Sequence, residues 1–201
     1  MFSYQDLKRP FAIASFMLVC LFSFSSCGDG SQNNDAADAS LIETPVAVST
    51  KETDARFLTS VAEINYKEIL AGKLARQRAT EETVREMAFM LEEAHREAKS
   101  SLGSLAIMEG ISVPASPTPA AVAVYDSLNV KSIEAFDYEY CTLSIKHHKE
   151  AITLFENAMR AKHDPEIQAW AVSKLPALRA QLSWVVAAES HLNPLSEVVD
   201  H

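Results

Sequence analysis

Glycine is scarce, at five of 201 residues, whereas alanine, leucine and glutamate are plentiful. A chain poor in turn residues and rich in good helix formers leans towards helix. No stretch shows the sustained alternation of a strand. A basic cluster is also missing, and the formal charge is −9. Nucleic acid needs a Lys/Arg footprint and is excluded as a partner. The main apolar run, FAIASFMLVCLFSF from Phe11 to Phe24, falls short of the roughly 20 residues that span a membrane. There is no serine or cysteine nucleophile motif, phosphate-binding loop or CxxC pair, so catalysis of those classes is not expected. Hydrophobic content, at 48%, is ordinary for a folded protein and allows a packed core.

Cysteine is rare too, and the three present have separate readings. Lys8 and Arg9 precede the apolar run, and small Ser25 and Ser26 then lead to Cys27. A basic start, a short apolar stretch and small residues make a secretory signal. Phe24-Ser-Ser-Cys27 resembles a bacterial lipoprotein box, cut before a cysteine that is then acylated; an aromatic at its first position departs from the usual aliphatic. The sequence therefore predicts a signal peptide over 1–26 and an outer-membrane lipoprotein, held to the membrane through Cys27 and facing either the periplasm or the surface. Cys20 would leave with the signal, so Cys141 alone remains and no internal disulfide can form. Cleavage removes Asp6, Lys8 and Arg9, leaving 16 of the 18 Lys and Arg and 26 of the 27 Asp and Glu, a charge of −10. Anionic lipid would repel that charge, so the acyl chains must supply the anchor.

Residues 28–53 are small and polar without a sustained apolar period. They read, with the acylated Cys27, as a disordered tether of about 25 residues and a reach on the order of 25–30 Å. From Asp54 the pattern becomes helical. Phe57, Val61, Ile64, Glu68, Ala71 and Ala75 share one face. Val84, Ala88, Leu91, His95, Ala98 and Leu102 form a second such stripe, with Thr80 as its expected N-cap and Gly110 as its stop. A connection with three prolines follows, long enough to cross a bundle from end to end, with room for a short helix in AAVAVYDSLNV. Cys141, Ile145, His148, Ile152, Phe155 and Met159 make the third stripe. The fourth helix starts at Asp164-Pro165, carries Leu178, Gln181, Val185, Ala188 and Leu192, ends at Asn193-Pro194, and should kink at Pro176. The expected architecture is all-α: a four-helix bundle over 54–194 and a tail over 195–201.

Each stripe holds one polar residue: Glu68, His95, His148 and Gln181. All four lie near the middle of their helices, so antiparallel packing could bring them to one height. Three readings stay open. They form a hydrogen-bonded polar core layer that fixes register. They sit at a partly wet helix boundary. Or Glu68, His95 and His148 bind a metal, zinc or iron, since two imidazoles and a carboxylate resemble a facial triad. His147, about 100° around the helix from His148, is expected at the solvated flank.

Four stretches carry a family likeness: KEILAGKLA in the first helix, MLEEAHREA in the second, FDYEY followed by HHKEAITLFE in the third, and LPALRAQL in the fourth. Over about Ala55 to Leu192 the chain resembles domain-of-unknown-function family 4142, bacterial proteins assigned to the outer membrane and periplasm. The resemblance implies a ferritin-like bundle and an envelope location. It places Glu68, His95, Asp137, Tyr140 and His148 at motif positions. Ala94 stands where the family usually has Asp, and Gln181 where it usually has His. Glu92 and His95 have the Glu-x-x-His spacing of ferritins, but the third and fourth helices lack it, so a complete di-iron centre is not expected. The leading expectation is a non-catalytic envelope lipoprotein of unknown biochemical role. The alternatives are a metal-binding bundle, or a stress-related interaction module whose protein partner is unknown.

Overall fold

The protein is described by a computed structural model over residues 49–192. The expected signal peptide, Cys27, most of the expected tether and the expected tail lie outside the described residues. Among the described residues five helices follow one another: α1 (Thr50–Arg78), α2 (Glu82–Met108), α3 (Pro119–Asn129), α4 (Ile133–Arg160) and α5 (Pro165–Leu192). Among the described residues no helix is long and apolar enough to cross a membrane.

Local chemistry accounts for the helix starts. α1 begins four residues before the expected Asp54, because the Ser49 side chain accepts from the Glu52 backbone N–H at 3.2 Å. Thr118 caps α3 in the same way and Pro119 occupies its first turn. Asp164 accepts from the Glu166 N–H at 2.9 Å to start α5. Pro176 sits inside α5, which continues to Leu192. At Gly110 the backbone takes φ +60°, a conformation that favours glycine, just past the end of α2.

The expected cap of α2 differs. Thr80 does not cap with its own side chain; the helix start is held by Asp137 from α4. The Asp137 carboxylate accepts from the Thr80 N–H at 3.0 Å, the Thr80 hydroxyl at 2.8 Å and the Glu81 N–H at 2.8 Å. A buried anion thus faces the positive end of α2 and takes up otherwise orphaned donors. Asp137→Ala should therefore cost about 2–3 kcal/mol, read as a shift in the urea midpoint at unchanged slope.

Residue pairs set the directions. Asp54 meets His163, Glu68 meets His147, and Thr80 meets Asp137, so α1 and α4 are antiparallel. His95 meets His148 while Glu81 meets Asp137, so α2 and α4 run parallel. α1–α2 and α4–α5 are hairpins joined by short turns. Parallel α2 and α4 require the long connection to return to the starting end. It does so along α1: the Tyr66 hydroxyl donates to the Pro114 carbonyl at 3.4 Å, and Arg78 donates to the carbonyls of Asn129 and Lys131. The result is a four-helix bundle with one long crossover, as in ferritin-like folds, and α3 lies within the crossover.

The core divides into two apolar clusters. Phe57, Leu58, Leu102, Phe155 and Ile167 belong to one. Leu74, Val84, Leu91, Phe136 and Val185 belong to the other. The gaps between them along α1, α2, α4 and α5 contain Glu68, His95, His148 and Gln181. A belt of polar side chains therefore separates the two halves of the core.

Candidate metal centre

Glu68 on α1 is fully enclosed, 1% exposed, and charged groups are rarely so buried without partners. Its partners come from α4. His147 Nδ1 donates to one carboxylate oxygen at 2.6 Å, and the Ser144 hydroxyl donates to the other at 2.8 Å. Burial by itself would raise the carboxyl. The His147 bond, with the charges of His148, His147 and His95, outweighs it and holds the group at about 2.

His147 is thus not at a solvated flank: it is buried, 3% exposed, and bonded to Glu68. In a bundle, α4 has one neighbour on each side and buries a wider arc than a single stripe. His148 turns towards α2 and His147 towards α1.

His95 and His148 meet across the parallel α2–α4 pair. Each has its Nδ1 engaged. His148 Nδ1 donates to the Ser144 carbonyl one turn back, at 2.8 Å, and His95 Nδ1 donates to Asn65 Oδ1 at 2.9 Å. Both Nε2 atoms are thereby turned inward, 3.5 Å apart. Burial lowers His95 against the opposing charge of Glu68, with His148 and His147 adding to the fall, and leaves it at about 4, so it is a neutral imidazole at neutral pH with a lone pair on Nε2. Where both rings are neutral, two facing lone pairs repel. The arrangement is favourable when a proton or a metal cation lies between them. Two nitrogens each about 2.05 Å from one tetrahedral ion are roughly 3.3 Å apart, close to the observed separation.

The ligand atoms of Glu68, His95 and His148 all lie within 4.8 Å of one another. A cation between the imidazoles would therefore have the Glu68 charge close by, and Glu68 would reach it directly only after a small carboxylate movement. Asn65, Ser144 and His147 hold the three main residues from outside, which is the usual support around metal ligands. The stripes did not identify these three; Asn65 precedes Glu68, and Ser144 precedes His148, by about one turn.

Other singled-out residues lie elsewhere. Gln181 is buried but makes no hydrogen bond to the histidines. Glu92 does not act with His95; Arg76 binds it at 2.9 Å and Arg96 binds its other oxygen. Tyr140 is fully buried with no partner for its hydroxyl, and burial followed by the charge of Glu68 raises it well above the usual phenol. Burial also pushes the Cys141 thiol up to about 12, so it is an inert core residue.

The family model described as Domain of unknown function (DUF4142) matches residues 41–187. The chain belongs to the DUF4142 family. The crystal structure of a DUF305 fragment from Deinococcus radiodurans is similar, with a TM-score of 0.61 at 15% identity. The match covers 72% of this chain and 98% of that one, and shows a shared helical fold. No curated protein matches the chain. In this DUF4142 bundle the shared helical fold carries no chemistry of its own, and the polar belt is where side-chain chemistry gathers.

The belt also predicts acid behaviour. His95 is held near 4, below the ordinary 6.5, so the unfolded chain binds more protons between those values. Glu68 is held near 2, below 4.5, and acts in the same direction. Stability of the metal-free protein should be fully present above about pH 6.5 and fall as pH drops towards 4. His95 alone should contribute a loss on the order of 3 kcal/mol. Urea melts at pH 7, 5.5 and 4.5 test this, and His95→Gln should flatten the profile.

Proposed function

We propose that this chain is a lipid-anchored protein of the bacterial cell envelope whose bundle binds one divalent transition-metal ion, zinc or iron. His95 and His148 are the nitrogen ligands, and Glu68 is the buried counter-charge. The observation that carries this reading is the pair of inward Nε2 atoms at 3.5 Å, each with its Nδ1 already committed. Imidazole suits these metals, and remaining coordination positions would be filled by water or by a small oxygen ligand. The role is one of metal binding, for storage, transfer or sensing, and it requires no nucleophile or acid–base residue.

Titrating the chelator-treated protein with Zn(II) and Fe(II) tests the reading. Saturation at one ion per chain supports it. Loss of saturable binding in neither His95→Ala nor His148→Ala would refute it.

The anchor rests on Cys27 after a basic start, an apolar run and two small residues. Cys27→Ser should abolish acylation, and the protein should accumulate as precursor or lose firm membrane association. Membrane fractionation and an intact mass measurement check this. An unchanged mature mass with unchanged membrane retention would contradict the anchor.

A further inference from the structure

Gly103 lies inside α2, where glycine weakens a helix relative to alanine. Packing accounts for Gly72, the glycine inside α1. A Cβ there would meet the Ala88 carbonyl oxygen at 3.1 Å and Glu92 Cβ at 3.2 Å, so the close approach of α1 and α2 needs it. A Cβ on Gly103 would meet nothing within 4 Å. The space over it belongs to an open groove of about 360 Å³. α1 supplies Ala62 and Tyr66 to its walls, α2 supplies Leu102 and Ala106, and the crossover supplies Ile111 and Val113. The crossover wall is tied down twice. The Ile111 N–H donates to the Ala106 carbonyl at 2.9 Å, and the Tyr66 hydroxyl donates to that of Pro114.

The two ends of the groove differ in chemistry. Ile107 forms one and is 82% exposed. Lys99 forms the other, with its ammonium 5.0 Å from the centre of the Tyr66 ring. Among the described residues Lys99 takes part in no ion pair, and no acidic side chain lines the groove. A half-buried cation without a counter-ion favours an anion at that end. From Lys99 to Ile107 the helix rises about 12 Å, and a straight chain of about ten carbons spans that length. Gly103, bare of side chain, lets such a chain lie close against α2. Each methylene laid against the apolar walls adds to affinity. We propose that this groove binds a medium-chain fatty acid, with its carboxylate on Lys99 and its alkyl chain running over Gly103 towards Ile107. None of Glu68, His95 and His148 borders the groove, so the site stands apart from the metal reading.

Calorimetric titration with decanoate, decanol and acetate tests the proposal on the full chain carrying Cys27→Ser, which bears no lipid at that position. Decanoate should bind saturably at one per chain, below the concentration at which it forms micelles, and about tenfold more tightly than decanol. Acetate, which lacks the chain, should not saturate. Lys99→Met keeps most of the side-chain length and removes the charge. It should weaken decanoate about tenfold and leave decanol unchanged. Gly103→Leu fills the groove from its floor and should remove binding of both. Its melting temperature should be equal or higher, because leucine is the better helix former. No saturable decanoate binding to the chain with Lys99 and Gly103 intact would overturn the proposal. So would undiminished binding to Gly103→Leu, or equal decanoate affinity with and without the Lys99 charge.

Discussion

His148→Ala is expected to abolish stoichiometric metal binding, from one ion per chain to none detectable at micromolar free metal. Two nitrogen ligands define the site, and removal of one leaves His95 Nε2 facing a space with no second imidazole. Its neighbour provides the internal control. His147 Nδ1 binds Glu68, not the shared space between the other two rings. His147→Ala should keep the ion but weaken it about 10–100-fold, the usual effect of losing a group that orients a metal site. Equal effects of the two substitutions would mean that the ion, if any, is not where the Nε2 atoms point. Competitive titration against a chromophoric chelator separates these outcomes. In the metal-free protein His148→Ala should also destabilise the fold, since Glu68 loses a compensating neighbour inside the core.

Leu91→Ala should be the most destabilising truncation of a single aliphatic side chain near the belt. Leu91 is fully buried in the cluster with Val84, Leu74 and Phe136. Its loss should cost about 2–5 kcal/mol, the transfer term plus the cavity left behind. Glu82→Ala, at an exposed position in the first turn of α2, should cost less than about 0.5 kcal/mol. Urea midpoints measured side by side check the ratio. Similar losses at the two positions would contradict the packing of α2.

These residues also show what was legible in the chain. Period alone places Leu91, His95, Glu68 and His148 on inward faces, because a helix repeats every 3.6 residues and buried faces are apolar. Their common height follows from antiparallel α1 and α4 and from the crossover that makes α2 and α4 parallel. The three prolines point to such a crossover and AAVAVYDSLNV leaves room for its helix, but the start at Thr118-Pro119 comes from the structure.

His147 lies inside, not at the expected flank, because one stripe per helix is too narrow a rule for a bundle. A helix with two flanking neighbours hides residues on both shoulders, and Glu68 on α1 covers one of them. The early start of α1 was signalled by Ser49 followed three residues later by Glu52, the pattern of a capping box, inside a stretch that otherwise reads as linker. The role of Asp137 was not legible. Its partners, Thr80 and Glu81, lie more than fifty residues away, and only the assembled bundle brings a carboxylate to the start of α2. Asn65 and Ser144 were missed for a similar reason: a polar residue one turn from another looks like surface until both are enclosed.

The proposed site holds one cation between His95 and His148. Anomalous diffraction at the zinc edge, from crystals of the zinc-loaded protein, tests it most directly. A single strong peak is expected between the two imidazoles, about 2.0–2.1 Å from each Nε2. The absence of a peak there, or a peak confined to surface carboxylates such as Glu109, Asp164 and Glu166, would contradict it.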